Sequence, residues 1–158
     1  MRFAITTLII SILFLAGGLS YARAEQYVSV NLDTTAHSLA SRSIATISRA
    51  SRYGIDTTRA MRYQAEGDEA LHRGDLVRAA EEYGRAEEAI RVLEAERRQA
   101  LDARRIARRE LDRARRDGTY NLAPAEIDFQ RGNEALANGD FVTAQLYYAE
   151  ARASLAVG

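Results

Sequence analysis

The chain has 158 residues, with 22 basic and 22 acidic side chains, no formal net charge and no cysteine. Balanced charge excludes nucleic-acid binding through overall basicity, and the lack of thiols excludes disulfides, thiolate metal sites and a lipid-modified N-terminal cysteine. Every basic residue is arginine, which beside abundant alanine fits a G+C-rich genome better than selection for the guanidinium fork at each position.

Met1-Arg2, an apolar run from Phe3 to Leu19 diluted by Thr6, Thr7 and Ser11, and then Ser20-Tyr21-Ala22-Arg23-Ala24 open the chain. A short basic start, an apolar middle and small residues at Ala22 and Ala24 are the parts of a secretory signal, so residues 1–24 are expected to be cleaved after Ala24. The alternative is a retained anchor, since about 17–25 apolar residues can span a bilayer. Without Arg2 and Arg23 the mature chain carries 20 basic and 22 acidic residues, a net charge of −2. It is then one small domain in the periplasm or otherwise exported, away from nucleic acid.

A single proline, few β-branched runs after residue 56 and plentiful Ala, Arg, Glu and Leu predict an all-α protein. Residues 25–32 form a flexible polar lead-in to one helical domain over 33–158. Asp33 is the expected cap of a helix over about 34–52, with a weak apolar stripe at Leu39, Ile44 and Ile47 and a left-handed stop at Gly54. Asp56 caps a helix over 57–73, which Gly74 ends, and Asp75 at once caps a third. That third helix meets no breaker but Gly84 before Gly118, so it covers about 76–117, roughly 60 Å at 1.5 Å per residue. Pro124 suits the first position of a helix over 124–138, Gly139 ends it, and Asp140 caps a fifth over 141–156.

Sixty-five positions separate two copies of one pattern. Gly67 matches Gly132, Ala70 Ala135, Leu71 Leu136, Gly74 Gly139, Asp75 Asp140, Leu76 Phe141, Val77 Val142, Ala79 Ala144, Tyr83 Tyr148 and Ala86 Ala151. Gly74-Asp75 and Gly139-Asp140 act as stop and start of helical hairpins, the glycine taking φ > 0 and the aspartate receiving the next helix. Gly67 and Gly132 lie inside helices, where glycine costs about 1 kcal/mol against alanine, so close approach of the paired helix is expected there. Ala79 and Ala144 offer a small surface for it, while Leu71, Leu136, Leu76, Phe141, Tyr83 and Tyr148 fill the seam.

This run of Gly, Ala, Gly-Asp, Ala and Tyr resembles a tetratricopeptide repeat over 67–86 and 132–151, though that family recurs at about 34 residues. Tyr120-Asn-Leu-Ala-Pro124-Ala-Glu126, Glu134-Ala135-Leu136 and Gly139-Asp140-Phe141 followed by Ala144, Tyr148 and Ala151 resemble the DUF4398 family of bacterial envelope proteins. The likeness covers about 101–155 and, more weakly, 38–89, where Asp56-Thr57 stands in place of Ala-Pro. It implies TPR-like helical hairpins in the cell envelope; the family has no assigned activity to carry over.

Only two histidines occur, His37 and His72, with no Cys or His at helical spacing and no HExxH, GxSxG, phosphate-loop or GxGxxG pattern. No catalytic, cofactor-binding or metal-ligating residue is therefore expected, and no enzyme. The pairs Glu81-Glu82 and Glu87-Glu88 are expected on a solvated face. Charge on the long helix is polarised: residues 66–96 hold ten acids and four arginines, residues 97–116 nine arginines and three acids. A helix dipole fades within the terminal turns and does not account for this.

Across that boundary the seam thins to Arg97, Ala100, Arg104, Ala107, Leu111 and Ala114, and the first helix is the obvious local neighbour. Three readings of Arg97, Arg98, Arg104, Arg105, Arg108, Arg109, Arg113 and Arg116 stay open. One is a solvated face with Glu94–Arg98, Arg98–Asp102 and Arg108–Asp112 pairs. The second is an antiparallel homodimer joining basic and acidic halves. The third is contact with membrane headgroups or an anionic polymer of the envelope. The expected function is that of an exported helical interaction or scaffold protein with a protein partner in the envelope, the alternatives being an adaptor for a peptide tail or a binder of anionic envelope components.

Overall fold

Five helices and no strand make up the described part of the computed structural model, residues 31–118 and 121–156. They are α1 (31–52), α2 (Thr58–His72), α3 (Leu76–Arg116), α4 (Ala123–Ala137) and α5 (Phe141–Ala156). The expected leader, residues 25–30 of the lead-in and Tyr120 lie outside the described residues. No helix among the described residues is long and apolar enough to cross a membrane.

Apart from the start of α1, helix ends fall within a residue or two of expectation, with three corrections. The chain is already helical at Asn31, so Asp33 is not a cap; its carboxylate lies 3.2 Å from His37 Nδ1 one turn on. The Ser and Thr residues that crowd α1 do not break it, because their hydroxyls turn back onto its own carbonyls, Thr35 to Asn31 at 2.7 Å and Ser41 to His37 at 3.0 Å. Thr57, not Asp56, holds the cap position of α2, although Asp56 Oδ1 accepts the first helical N–H, that of Thr58, at 2.9 Å. Pro124 is the second residue of α4, still within the turn whose N–H groups lack partners.

Each hairpin turn joins two devices at one residue. Gly74 (φ 75°) donates to Leu71 O and Asp75 N–H to Ala70 O, both at 3.0 Å, closing α2 as a Schellman motif. Asp75 Oδ1 then accepts from Arg78 N–H at 3.1 Å and opens α3. Gly139 (φ 78°) and Asp140 repeat both steps, with Asp140 N–H on Ala135 O at 2.9 Å and its Oδ1 on Thr143 N–H at 3.0 Å. Because the residue that ends one helix caps the next, the two helices fold back at once.

The long helix is covered along its length. Arg42–Glu87 at 2.8 Å and Arg49–Glu94 at 3.3 Å advance by seven on both sides, so α1 runs parallel to the first half of α3. Gln145 Nε2 on Glu96 O at 3.4 Å and Arg152–Glu110 at 2.9 Å place α5 parallel to the second half. The expectation that α1 neighbours the basic half is therefore corrected: α1 runs beside the acidic half, where its arginines find carboxylates, and α4 and α5 cover the basic half. The duplicated unit is thus three helices rather than a hairpin, and α3 belongs to both units as the third helix of one and the first of the other. Buried Ala36 and Ser43 in α1 stand for buried Ala100 and Ala107 in α3, sixty-four positions on.

The seam is mostly alanine, which lets the backbones approach, with Tyr83, Ile90, Leu111 and Tyr148 as the large fully buried side chains. Burying Ile90 or Leu111 contributes about 1.5–3 kcal/mol each. Ile44 is not in the stripe predicted for α1; it is 53% exposed, because Ala36, Ser43 and Ala50 occupy the inward positions. One apolar cluster runs from Ile55 and Ile90 in the first unit to Phe141, Ala144 and Tyr148 in the second, so the units share a core. Their turns also meet: a Cβ on Gly139 would come 4.0 Å from Gly54 O.

Candidate functional site

The two units differ in how their first two helices are joined, and a cleft lies between that pair in the second. In the first unit α1 and α2 are tied by a buried polar chain. Ser43 Oγ donates to Gln64 Oε1, Gln64 Nε2 to Asp68 Oδ1 at 3.1 Å, and Tyr83 Oη to the same Oδ1 at 2.7 Å. In the second unit Ala107 and Phe129 stand in place of Ser43 and Gln64, and only the last link remains, Tyr148 Oη to Asn133 Oδ1 at 3.1 Å. Phe129 packs instead on Tyr148, ring centroids 5.5 Å apart at 54°. α4 makes less contact with α3 than α5 does.

The rim of that gap is basic. Ala40, Ser41 and Ile44 of α1 are replaced sixty-four positions later by Arg104, Arg105 and Arg108 of α3. A cleft of about 550 Å³ between α3 and α4 is lined by Arg108, Arg115, Arg131, Leu111, Ile127 and Phe129, among others, and a smaller one of about 310 Å³ by Leu101, Arg104, Arg105, Arg108 and Phe129. Arg108 and Phe129 line both, so the two adjoin along α3 as a groove with Arg108 at its middle. Arg108 lies over the Phe129 ring, 5.8 Å from its centroid, and reaches Asp112 at 3.3 Å.

The other cleft arginines are oriented by neighbours. Arg115 pairs with Glu126 at 2.7 Å and Asp112 at 3.3 Å, and the Glu126 carboxylate raises its pKa further. Arg131 pairs with Asp128 at 3.2 Å and lies over Tyr147, and Arg105 pairs with Asp102 at 2.9 Å. Arg104 is exposed and has no ion pair among the described residues. Burial pushes the Tyr148 hydroxyl up, against the opposing charge of Arg104.

The predicted arginine surface is therefore divided. Arg104, Arg105 and Arg108 enter the cleft, while Arg97 is half-buried over the Tyr53 ring at 5.6 Å. Arg98 donates to Glu94 O at 3.3 Å, Arg113 pairs with Asp117 at 3.6 Å, and Arg109 and Arg116 are exposed. Of the three predicted ion pairs only Arg108–Asp112 forms. The Glu94 carboxylate turns to Arg49 and that of Asp102 to Arg105, which leaves Arg98 neither. Glu82 also departs from the solvated face: it is 4% exposed, with Oε1 on Arg85 at 2.9 Å, and Glu87 is half-buried on Arg42.

Sequence reasoning missed Arg115, Arg131, Ile127 and Phe129 as cleft residues. The signal for them lies at the unlike positions of the repeat, Gln64 against Phe129. The hairpin residues lie where expected, but what faces Gly67 and Gly132 is the ring of Tyr83 or Tyr148, not the small surface of Ala79 or Ala144. Leu71, Leu76 and Leu136 are half-buried, and Phe141 is buried.

His37 and His72 are exposed, their Nδ1 atoms 3.0 and 2.7 Å from the carbonyls of Asp33 and Asp68. Among the described residues no group of three or more His, Asp or Glu could hold a metal. No protein-family model, curated protein or solved structure matches the chain.

Proposed function

We propose that the protein is an exported, non-enzymatic helical interaction module of the bacterial cell envelope, engaging an anionic partner through the cleft between α3 and α4. The observation that carries this is the divergence of the two units. At equivalent places the first has Ala40, Ser41 and Ile44 beside a closed polar bridge, and the second has Arg104, Arg105 and Arg108 beside an open groove. Packing alone does not call for three guanidinium groups on that rim, whereas recognition of carboxylate or phosphate does.

The signal-like residues 1–24 and the DUF4398-like stretch 101–155 support the compartment. The test is fractionation followed by intact mass. Export predicts a chain beginning at Glu25 in the envelope or periplasmic fraction. A chain recovered in the cytoplasm with its first 24 residues attached would overturn the reading.

A second reading, a tetratricopeptide-like adaptor for a protein tail, is favoured by the two glycine-under-tyrosine seats that pack the hairpins alike. It differs in where it places the ligand. An adaptor of that kind would use surface formed by both hairpins, and alanine substitution of Arg104 and Arg108 would leave its binding intact.

A further inference from the structure

We propose that the groove between α3 and α4 takes a linear acidic peptide segment with one apolar side chain, which rests on the interaction-module reading and names its ligand. Three features of the groove point to that chemistry. First, its lining carries five arginines, Arg104, Arg105, Arg108, Arg115 and Arg131, and although Asp102, Asp112, Glu126 and Asp128 orient the other four, Arg104 is left for a ligand. Guanidinium forks match carboxylates in pairs, and Arg104 has no ion-pair partner among the described residues.

Second, the shape is linear. From Leu101 to Arg115 the groove follows α3 for about 21 Å, the length of roughly six extended residues. A flat bilayer does not enter a concave slot between two helices.

Third, the apolar surface is short. Ile127 is 53% exposed at the rim, while Phe129 and Leu111 are 4% and 2% exposed beneath it. The apolar surface open to a ligand is therefore that of Ile127, which suits one side chain and is too brief for an acyl chain, while a hydrated polysaccharide would leave it uncovered. Arg108 lies over the Phe129 ring at the centre of the groove.

The other clefts are weaker candidates. The one between α2 and α3, about 410 Å³, mixes Asp56, Glu88 and Glu96 with Arg59 and Arg85 and so favours neither sign. The outer face of α5, with Val142 and Leu146 exposed, has nothing in the structure to say what covers it.

Fluorescence anisotropy tests the proposal, using full-length chain as the cell leaves it and a labelled eight-residue peptide of aspartates and glutamates around a central leucine. Saturable binding is expected, weakened about tenfold between about 50 mM and 500 mM salt. Arg104→Ala with Arg108→Ile, the residues of the first unit at those places, should weaken it about tenfold. Arg109→Ala with Arg116→Ala, on the same helix but outside the groove, should change it less than about twofold. Exchange of the peptide's leucine for serine should weaken binding several-fold.

Equal losses from the two arginine pairs, or equal binding of the leucine-free peptide, would reduce the effect to general anion attraction and overturn the proposal. So would stronger competition by phosphatidylglycerol vesicles than by unlabelled peptide. A chain that begins at Glu25 in the envelope fraction but binds no peptide overturns this ligand and leaves the exported-module reading standing.

Discussion

Gly67 on α2 lies under the ring of Tyr83 on α3 so closely that a Cβ at the glycine would sit 2.6 Å from Tyr83 Cε1, and Gly132 and Tyr148 repeat the relationship at the same 2.6 Å. Both tyrosines are fully buried, so neither ring has room to retreat. Each hydroxyl then reaches the residue after the glycine, Asp68 at 2.7 Å and Asn133 at 3.1 Å. The pair fixes how far α2 may stand from α3, and α4 from α5, which is why glycine persists where alanine is the better helix former.

Gly67→Ala should accordingly destabilise the fold. Overpacking costs about 1–3 kcal/mol and helix propensity returns about 1 kcal/mol or less, for a net loss of about 1–2 kcal/mol in urea unfolding. The loss should shrink in a Tyr83→Ala background, because the clash is gone. Stabilisation by Gly67→Ala alone would show that the ring does not constrain this position.

Tyr83→Phe removes a hydrogen bond from a buried chain and should cost about 1 kcal/mol at neutral pH. The pH dependence has a definite sign. Burial first, then the Asp68 carboxylate, raise the folded-state pKa of Tyr83, so this contribution is complete below the unfolded tyrosine pKa of about 10 and is lost as pH rises above it. Urea midpoints followed upward from about pH 9 should fall more steeply for the wild type than for Tyr83→Phe. Parallel curves would remove Tyr83 as the group responsible.

Asp140 contributes on the acid side. Thr143, through its side chain and its backbone N–H, holds the Asp140 carboxyl below the usual aspartate range. Stability from this group is present above the unfolded value of about 3.9 and is lost as pH falls through the lower folded value. Asp140→Asn keeps a capping oxygen but does not titrate. Its melting temperature should match the wild type near neutrality within about a degree or two and decline less below about pH 4. An unchanged acid limb would place the titration elsewhere.

Antiparallel pairing of two α3 helices has fewer acids to draw on than the bare sequence offers. Glu87 and Glu94 already face Arg42 and Arg49 of α1, and Glu88 faces Arg91. Sedimentation is therefore expected to give one mass at low and at high salt. A dimer at low salt that dissociates at high salt would reinstate the charge-paired assembly.

Helix ends were legible because their causes are local. The hydrogen bonds that stop α2 and start α3 join residues within five positions of one another, from Ala70 O to Asp75 N–H and from Asp75 Oδ1 to Arg78 N–H, so Gly74-Asp75 declares them in the sequence. The duplication was legible for the same reason in its second and third helices. Its first helix was not, since Ala36 and Ser43 share little with Ala100 and Ala107 beyond small size and a spacing of seven.

Five helices, two glycine-aspartate turns and an arginine-rich second half of α3 can be read from the chain alone. What that half faces is set by packing. Arg42 and Arg49 met carboxylates forty-five positions away and held α1 to the acidic half, leaving α4 and α5 to cover the rest. Packing also decided which arginines act together. Helical periodicity sets Arg104 and Arg108 on one face, but only the packing of α4, with Phe129 where Gln64 makes a bridge in the first unit, turns that face into the wall of a groove. Side chains forty to sixty residues apart meet only when several helices have chosen their neighbours together, and that choice is made by packing across the whole molecule rather than by any one stretch of chain.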